Sequence, residues 1–248
     1  MRRTSLIMLL MLAALVGCQT PLPTYDWHGI APALQIMQQR GAKIHTASGT
    51  AALTLRRGDG ASVRVEAAFA AKPPEALRIR AWKMNQAIAD WTLLPDGVWI
   101  WQAEQDDAKA GEGDAAKGGP PAGAWSKYHS DLWPMLFGII TPRDGDEVLE
   151  TRDAPFVIRR VLGEVIAEAE VDKSTLTVTQ CRILSAEGKV MQTIALSRYK
   201  ALGEVLWPMR VSAEGSGGSF ELNFGEVLIN DELAENALEP SGRAKRVE

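Results

Sequence analysis

The chain has 248 residues, with 27 basic and 31 acidic side chains and a formal net charge of −4. Arg2 and Arg3 lie in an N-terminal segment that we expect to be removed, and without them the net charge is −6. This balance argues against nucleic acid as a partner and against attraction to anionic lipid by overall charge. The remaining 231 residues suit one all-β domain or two small domains.

Cys18 ends a segment that is typical of exported proteins. Residues 1–4 carry positive charge, and residues 6–16 form an apolar run that is too short to span a bilayer. The closing Leu-Val-Gly-Cys resembles the bacterial lipobox, which implies a signal peptide over residues 1–17 and a membrane anchor through acylated Cys18. The alternative is an ordinary signal peptide that contains a cysteine. Gln19 stands where enterobacterial sorting rules use aspartate for inner-membrane retention, which implies the periplasm-facing inner leaflet of the outer membrane.

The next residues predict a tether, a helix and a first run of strands. Residues 18–26 contain two prolines and predict a lipid-anchored tether. Apolar residues recur at near-helical spacing from Ile30 to Met37, and Gly41 predicts the end of that helix. Apolar and polar residues then alternate between short turns, which predicts antiparallel strands at 51–55, 63–69, 77–81, 88–94 and 98–102.

A low-complexity run separates the two sets of strands. Residues 103–124 contain no large apolar side chain and predict a flexible, solvated loop. In residues 125–140 the large apolar side chains lie three or four positions apart, which predicts an amphipathic helix over the sheet. Pro134 fits a helix interior poorly, so two short helical pieces are the alternative.

A second set of alternating segments predicts strands at 148–151, 156–162, 165–171, 176–184, 190–199, 207–213 and 220–228. The polar residues 239–248 predict a disordered tail. The fold class predicted is mainly β: a single strongly curved antiparallel sheet of about 10–12 strands with covering helices.

Three stretches of the second half are distinctive: Leu-Ser-Arg-Tyr-Lys at 196–200, Gly-Glu-Val-Leu-Trp-Pro-Met-Arg at 203–210 and Leu-Asn-Phe-Gly-Glu-Val-Leu-Ile-Asn at 222–230. Together with the order of the elements, they resemble the LolA/LolB superfamily of bacterial lipoprotein-sorting proteins. In the first half, Pro73-Pro74 before a strand and the Leu-Pro-Asp-Gly-Val-Trp-Ile-Trp run at 94–101 agree with it. The similarity covers most of residues 27–238, which we interpret as one half-barrel domain.

This resemblance implies an incomplete barrel whose concave face is closed by helices over an apolar cavity for acyl chains. A curved sheet of many strands has an inner face that needs a cover or a ligand, which agrees with that expectation. The candidate lipid-binding residues, in the cavity and its helical cover, are Phe69, Ile79, Trp91, Trp99, Trp101, Leu132, Trp133, Leu136 and Phe137. The alternative for each of them is a place in an ordinary packed core.

Two features limit what the resemblance carries. In the membrane-anchored branch of the family, an exposed apolar residue on a protruding loop inserts lipoproteins, whereas the turn at 84–87 is short and offers only Met84. The chain also has no nucleophile elbow, His-Glu-x-x-His motif or phosphate-binding loop, and its three histidines have no metal-ligand spacing. We therefore expect no enzyme activity, no cofactor and no metal, and a buried, unreactive Cys181.

Two functions follow as hypotheses. The first is an envelope lipoprotein that binds acyl chains or a lipidated protein in its half-barrel, in outer-membrane lipid or lipoprotein trafficking or maintenance. The second is a structural or scaffolding lipoprotein that holds a protein partner through residues 103–124 or through exposed sheet edges.

Overall fold

A computed structural model of the chain describes residues 21–103, 122–150, 154–216 and 218–247, and for residues 122–126 the backbone alone. The predicted signal peptide, Cys18 and most of the predicted loop lie outside the described residues. Within them, no helix has the length and apolar content that crossing a membrane requires.

The helices are α1 (Ile30–Gly41), α2 (Ala122–Leu132) and a 3₁₀ helix (Trp133–Phe137). The thirteen strands of the described residues are β1 (Ala47–Arg57), β2 (Ser62–Lys72), β3 (Ala76–Lys83), β4 (Gln86–Leu94), β5 (Gly97–Gln102), β6 (Glu147–Leu149), β7 (Phe156–Leu162), β8 (Val165–Val171), β9 (Val178–Ser185), β10 (Val190–Leu202), β11 (Val205–Gly215), β12 (Gly218–Ile229) and β13 (Lys245–Val247).

All thirteen strands belong to one antiparallel sheet, in the order β13-β5-β4-β3-β2-β1-β12-β11-β10-β9-β8-β7-β6. Strands that are adjacent in the sheet are consecutive in the chain, except for the pairs β1–β12 and β13–β5. The sheet does not close, because β13 and β6 are its two edges. The predicted mainly β class and the single open, antiparallel sheet are confirmed.

The β1–β12 pair joins the two halves of the sheet and carries a register shift between Thr50 and Ala51. A bulge of this kind bends a strand and increases its local twist. Gly49 lies beside this shift, and a Cβ at that position would overlap the backbone carbonyl of Glu226. A glycine is therefore required where the two halves approach most closely.

Alternation gives the sheet two different faces. The inner face carries the buried apolar side chains of the core, for example Leu53, Val65, Leu77, Leu93 and Val211. The outer face carries most of the charged side chains of the sheet, for example Arg78, Asp90 and Glu168, together with several tryptophans of β3 and β5. Both helical elements pack against the inner face and cover it, as the sequence predicts.

The structure corrects the predicted helix at 125–140. It begins at Ala122, has a non-helical Tyr128 (φ −121°, ψ 21°), and gives way at Trp133 to a 3₁₀ helix that ends at Phe137. Pro134, which lacks the N–H that a continuous α-helix needs, explains the change to a 3₁₀ helix at Trp133. The alternative of two short pieces is the correct one.

The C-terminal tail is also ordered, contrary to the prediction for residues 239–248. Residues 245–247 form β13 and pair with Val98, Trp99 and Ile100 on β5. A strand of three residues is too short to show alternation in the sequence. β13 forms because it pairs with the edge of a sheet that already exists. The folded unit thus extends beyond residue 238.

At the other end, part of the predicted tether is bound to the sheet. The backbone N–H of Tyr25 donates a 2.7 Å hydrogen bond to the carbonyl of Ser174. The ring centroids of Trp27 and Phe156 lie 5.6 Å apart, and the Lys173 ammonium lies 4.8 Å from the centroid of the Trp27 ring. The chain is therefore attached to the β8–β9 end of the sheet before α1 begins.

Candidate functional site

An aromatic cluster lies at the centre of the inner face, built from Phe69 on β2, Trp207 on β11, Phe224 on β12 and Phe137 of the 3₁₀ helix. The Phe137 ring stacks on Trp207 with centroids 4.9 Å apart, and Phe69 stacks on both rings at 5.6 and 5.7 Å. Phe224 meets Phe69 edge-on at 5.2 Å. Stacked and edge-on pairs each contribute about 0.5–1.5 kcal/mol beyond simple burial, so this cluster holds together strands from both halves of the sheet.

The element that brings Phe137 into the cluster is the cover segment, which we define as residues 122–137. All five residues of its 3₁₀ helix are buried, and none of them is charged. The Trp133 indole lies edge-on to Phe137 at 6.1 Å and donates a 3.1 Å hydrogen bond to the Pro74 carbonyl at the β2–β3 turn. This hydrogen bond fixes the orientation of the Trp133 ring, whose contact with Phe137 is apolar.

Two further polar contacts hold the cover segment to the sheet. The Nε2 atom of His129 lies 2.5 Å from the carbonyl oxygen of Leu94. The Cys181 thiol, on the inner face of β9, lies 3.8 Å from the Met135 carbonyl, which is its acceptor. Burial raises the pKa of this thiol far above its ordinary value, so Cys181 is not a nucleophile in this conformation.

Just beyond the cover segment, Gly138 allows the chain to turn over β10. It has φ +68°, and a Cβ there would overlap the hydroxyl of Tyr199. That hydroxyl donates a 2.7 Å hydrogen bond to the Val178 carbonyl, and burial raises the pKa of Tyr199 well above its ordinary value. The end of the cover segment therefore lies directly against a buried phenol.

Seven of the nine predicted lipid-binding residues meet where the cover segment packs on the inner face. Phe69 pairs across the strands with Ile79, and Ile79 pairs with Trp91, so these three share the inner face. The others belong to the cover segment and are buried in the same core cluster: Leu132, Trp133, Leu136 and Phe137.

Trp99 and Trp101 do not join this set. They pair with Thr92 and Asp90 on β4, and these positions face away from Trp91, which pairs with Ile100. The guanidinium carbon of Arg246 lies 5.7 Å from the Trp99 ring, and that of Arg243 lies 5.6 Å from the Trp101 ring. Both tryptophans thus belong to the outer face, where the C-terminal tail partly covers them.

The space that the sequence predicts as an acyl-chain cavity is filled in this conformation by the aromatic cluster and the cover segment. A cavity of about 30 Å³ lies between α1 and the end of the cover segment, lined among others by Arg40 and Tyr199. A larger concavity of about 260 Å³ lies on the outer face, among polar side chains of β1 and β10–β12.

Two buried polar atoms inside the core have no partner among the described residues. They are the indole N–H groups of Trp91 and Trp207. A buried donor without an acceptor costs about 1–3 kcal/mol, and such groups are rare enough to need an explanation. A ligand with an oxygen acceptor, or an ordered water, is a physical way to satisfy them.

Three inner-face residues of this site were not among the predicted ones: Trp207, Phe224 and Cys181. Alternation marks each of them as inward-facing within its own strand. The contacts of Trp207 and Phe224 with Phe69 depend on the pairing of β1 with β12, which joins residues about 170 positions apart. No local signal in the sequence predicts the pairing of β1 with β12.

Two other expectations concern an exposed apolar residue and a metal site. Met84 lies in the short β3–β4 turn and is 89% exposed. Among the described residues, no group of three or more His, Cys, Asp or Glu side chains is arranged to hold a metal ion.

No protein-family model matches the sequence, and no curated protein matches it. Solved structures do match. A domain described as an outer-membrane lipoprotein-sorting protein from Vibrio parahaemolyticus is 14% identical, with a TM-score of 0.55 over 83% of this chain and 95% of that one.

Two further structures have 11% identity. A DUF1329 family protein from Desulfovibrio piger has a TM-score of 0.55 over 84% of this chain and 96% of its own. A LolA superfamily protein from Nitrosomonas europaea has a TM-score of 0.53 over 81% and 94%. At this identity the likeness concerns the fold, and the chain has a LolA/LolB-like fold.

Proposed function

We propose that this protein is a lipid-anchored, periplasm-facing lipoprotein that binds acyl chains, or the acyl part of a lipidated protein, on the inner face of its sheet. Its role would be the trafficking or maintenance of outer-membrane lipids or lipoproteins. The observation that carries the proposal is the cover segment, whose five consecutive uncharged 3₁₀ residues occupy the inner face of an open sheet. The fold shared with a lipoprotein-sorting domain supports it.

The cover segment and an acyl chain are chemically interchangeable occupants. Both present an apolar surface to the aromatic cluster, and burial of about 14 methylenes contributes roughly 11 kcal/mol before ordering costs. Binding then requires the cover segment to move, so the apparent affinity equals the intrinsic affinity multiplied by the fraction of open molecules. No catalytic group takes part.

The unpaired indole N–H groups of Trp91 and Trp207 support a ligand that carries oxygen atoms. An ester or amide carbonyl at the head of an acyl chain is an acceptor of the right kind for either donor. Pure hydrocarbon would leave both donors unsatisfied.

Cys181 offers a direct test of the opening step, because it is the only cysteine of residues 19–248 and lies under the Met135 carbonyl. Trp133→Phe removes the hydrogen bond to Pro74, which is worth about 1 kcal/mol or a fivefold change in the open fraction. We expect this variant to raise both the rate of Cys181 labelling by a maleimide and the affinity for dodecanoate, each about fivefold.

The matched control is Trp82→Phe, the same substitution on the outer face beside Arg80, which should change neither quantity. If labelling rises in Trp133→Phe while no acyl chain binds at any concentration, the carrier proposal is wrong.

The filled interior favours one alternative, a scaffolding lipoprotein whose inner face is a permanent core. Deletion of residues 104–121 separates the two functions. A carrier should keep its uptake of dodecanoate, whereas a scaffold should lose a crosslinked protein partner.

The anchor is part of the same proposal, since Cys18 lies outside the described residues. Acylation at Cys18 predicts that the protein sediments with membranes and incorporates labelled palmitate in bacteria. Cys18→Ala should abolish both, and an unlabelled wild-type protein in the soluble fraction would contradict the lipobox interpretation.

A further inference from the structure

The cavity of about 30 Å³ lies where the C-terminal turn of α1 meets the end of the cover segment. Most of its lining is aliphatic, as with Met37 and Ile140, and its polar atoms come from Arg40, Thr177 and Tyr199. Because Gly138 also lines it, the cavity adjoins the chain that leads directly to Phe137 and the aromatic cluster. It is therefore at the margin of the proposed acyl-chain site.

Arg40 brings a positive charge to this margin without a matching negative one. Its Nη2 donates a 2.7 Å hydrogen bond to the Leu176 carbonyl, and its Nη1 donates a longer one, 3.4 Å, to Thr175. Three of its five N–H donors have no acceptor among the described residues, and no carboxylate of those residues lies within 4.0 Å. The Tyr25 ring, 5.7 Å from the guanidinium carbon, covers it on one side.

Nearby carboxylates are engaged elsewhere. The Oδ1 atom of Asp172 accepts hydrogen bonds from the backbone and side chains of Ser174 and Thr175, within its own turn. Glu204 pairs with Lys43 at 2.8 Å. Burial lowers the pKa of Arg40 from its ordinary value, as desolvation of a cation does. Partly buried cations are ordinarily paired, because an unpaired one costs free energy.

We propose that Arg40 is the headgroup site for the acyl-chain ligand, and that this ligand carries an anionic oxygen group, a carboxylate or a phosphate. The inference rests on the proposed function, since the chain itself would lie beneath the displaced cover segment. The protein's net charge opposes a diffuse attraction to anions. Selection of an acidic head must then come from a single placed cation, whose planar fork suits a carboxylate or phosphate.

The test compares probes that share one chain length and differ in their heads, on residues 19–248, which contain every strand and helix described above. The probes are dodecanoate, lysophosphatidylglycerol with a twelve-carbon chain, uncharged 1-dodecanol, cationic dodecyltrimethylammonium and acetate, titrated at pH 8 by displacement of bis-ANS. We expect both anionic amphiphiles to bind at least about tenfold tighter than dodecanol. This ratio corresponds to the free energy of one charge-assisted hydrogen-bond pair between Arg40 and the headgroup. Acetate, which has no chain, should not bind in the same range.

Arg40→Gln should reduce the preference for dodecanoate over dodecanol to about one, and Arg40→Lys should keep part of it. Gln retains an amide donor for the Leu176 carbonyl, and Arg64→Gln, at an exposed position of β2, is the matched control. Because the wild-type probes already report the charge preference, the inference is tested even if Arg40→Gln fails to fold.

The possible outcomes distinguish a failure of the Arg40 inference from a failure of the proposed function. Equal binding of charged and uncharged chains by the wild type, or an unchanged preference in folded Arg40→Gln, overturns the Arg40 inference alone. Failure of every chain to bind overturns the proposed function and this inference together. Binding of acetate at the same concentrations would assign Arg40 to small free anions and also overturn the inference.

Discussion

The two faces of the sheet bury their side chains through different interactions: aromatic stacking on the inner face and ion pairs on the outer face. On the inner face, rings from both halves of the chain stack around Phe137, and the 3₁₀ helix of the cover segment adds only uncharged side chains. On the outer face, two carboxylates are almost fully buried among guanidinium groups. Asp90 accepts bonds of 2.6 and 3.0 Å from Arg78, and Glu168 lies between Arg159 and Arg182.

This difference indicates which face can exchange its contents. Apolar contact is non-directional and depends on the area buried, so the proposed exchange of the cover segment for an acyl chain requires no directional contact. An ion pair in a partly dry setting depends on its geometry, and removal of one partner leaves a buried charge. The inner face is therefore suited to a variable ligand, while the outer face keeps the sheet in one shape.

The largest effect should come from truncating the centre of the inner face. Phe137→Ala should lower the free energy of unfolding by about 3–5 kcal/mol, because the ring contacts four other aromatic side chains. Urea denaturation measures it. If the inner face accepts ligands, saturating dodecanoate should recover part of the loss by linkage. A loss below about 1 kcal/mol would contradict the role given to the cluster.

The next largest effect should come from the outer face. Asp90→Asn should cost about 2–3 kcal/mol, since it leaves Arg78 unpaired, and the partial exposure of Arg78 keeps the cost below that of a fully buried pair. Acyl-chain affinity should not change, because Asp90 faces away from Trp91. The control, Asp59→Asn in the exposed Arg57–Asp59 pair, should cost less than about 0.5 kcal/mol. A change in acyl affinity on replacing Asp90 would break the division between the faces.

A smaller effect is expected from the C-terminal tail. Deletion of residues 239–248 removes β13 and the two arginines over Trp99 and Trp101, and should cost about 1–2 kcal/mol. Hydrogen exchange of the β5 amides should accelerate, whereas that of β10 should not. Unchanged exchange on β5 would show that the tail does not protect this edge in solution.

The smallest effect concerns pH. Hydrogen bonds from Arg210 and Asn223 lower the pKa of Glu221, on the outer face of β12, below its ordinary value of 4.5. A lowered carboxyl pKa stabilises the fold above pH 4.5 and ceases to do so as the pH falls through the folded value. Glu221→Gln should therefore flatten the loss of stability below pH 4.5 slightly. Glu226→Gln, at an exposed position of the same strand, is the control, and an equal flattening there would refute the assignment.

Local sequence signals anticipated much of the architecture. Alternation and Gly- or Asp-containing turns predicted every strand from β1 to β12 within a few residues, because a half-buried strand must alternate. Pro134 signalled the break between α2 and the 3₁₀ helix. Seven of the nine candidate residues also meet where the cover segment packs on the inner face, since large apolar residues in such a pattern tend to share one core.

Trp99 and Trp101 show where that reasoning ends. Alternation places them opposite Val98 and Ile100, but only the register of the β4–β5 hairpin decides which pair faces inward. A shift by one residue would have exchanged the two pairs. Arg40 shows the same limit, because its unpaired charge exists only where the end of α1 reaches the β8–β9 turn.

By itself, then, the sequence determined the local structure of this protein: its strands, its turns, the uncharged run at 133–137 and the broken helix that contains it. These depend on interactions among residues close in the chain. The tertiary structure alone decided which face is inner, that β1 meets β12, that the tail completes an edge, and that aromatic rings fill the interior. Those outcomes depend on contacts between residues distant in the chain, from Phe137 and Trp207, which are 70 positions apart, to β1 and β12, which are about 170 apart. No local pattern encodes the loop-closure cost or the packing of such contacts.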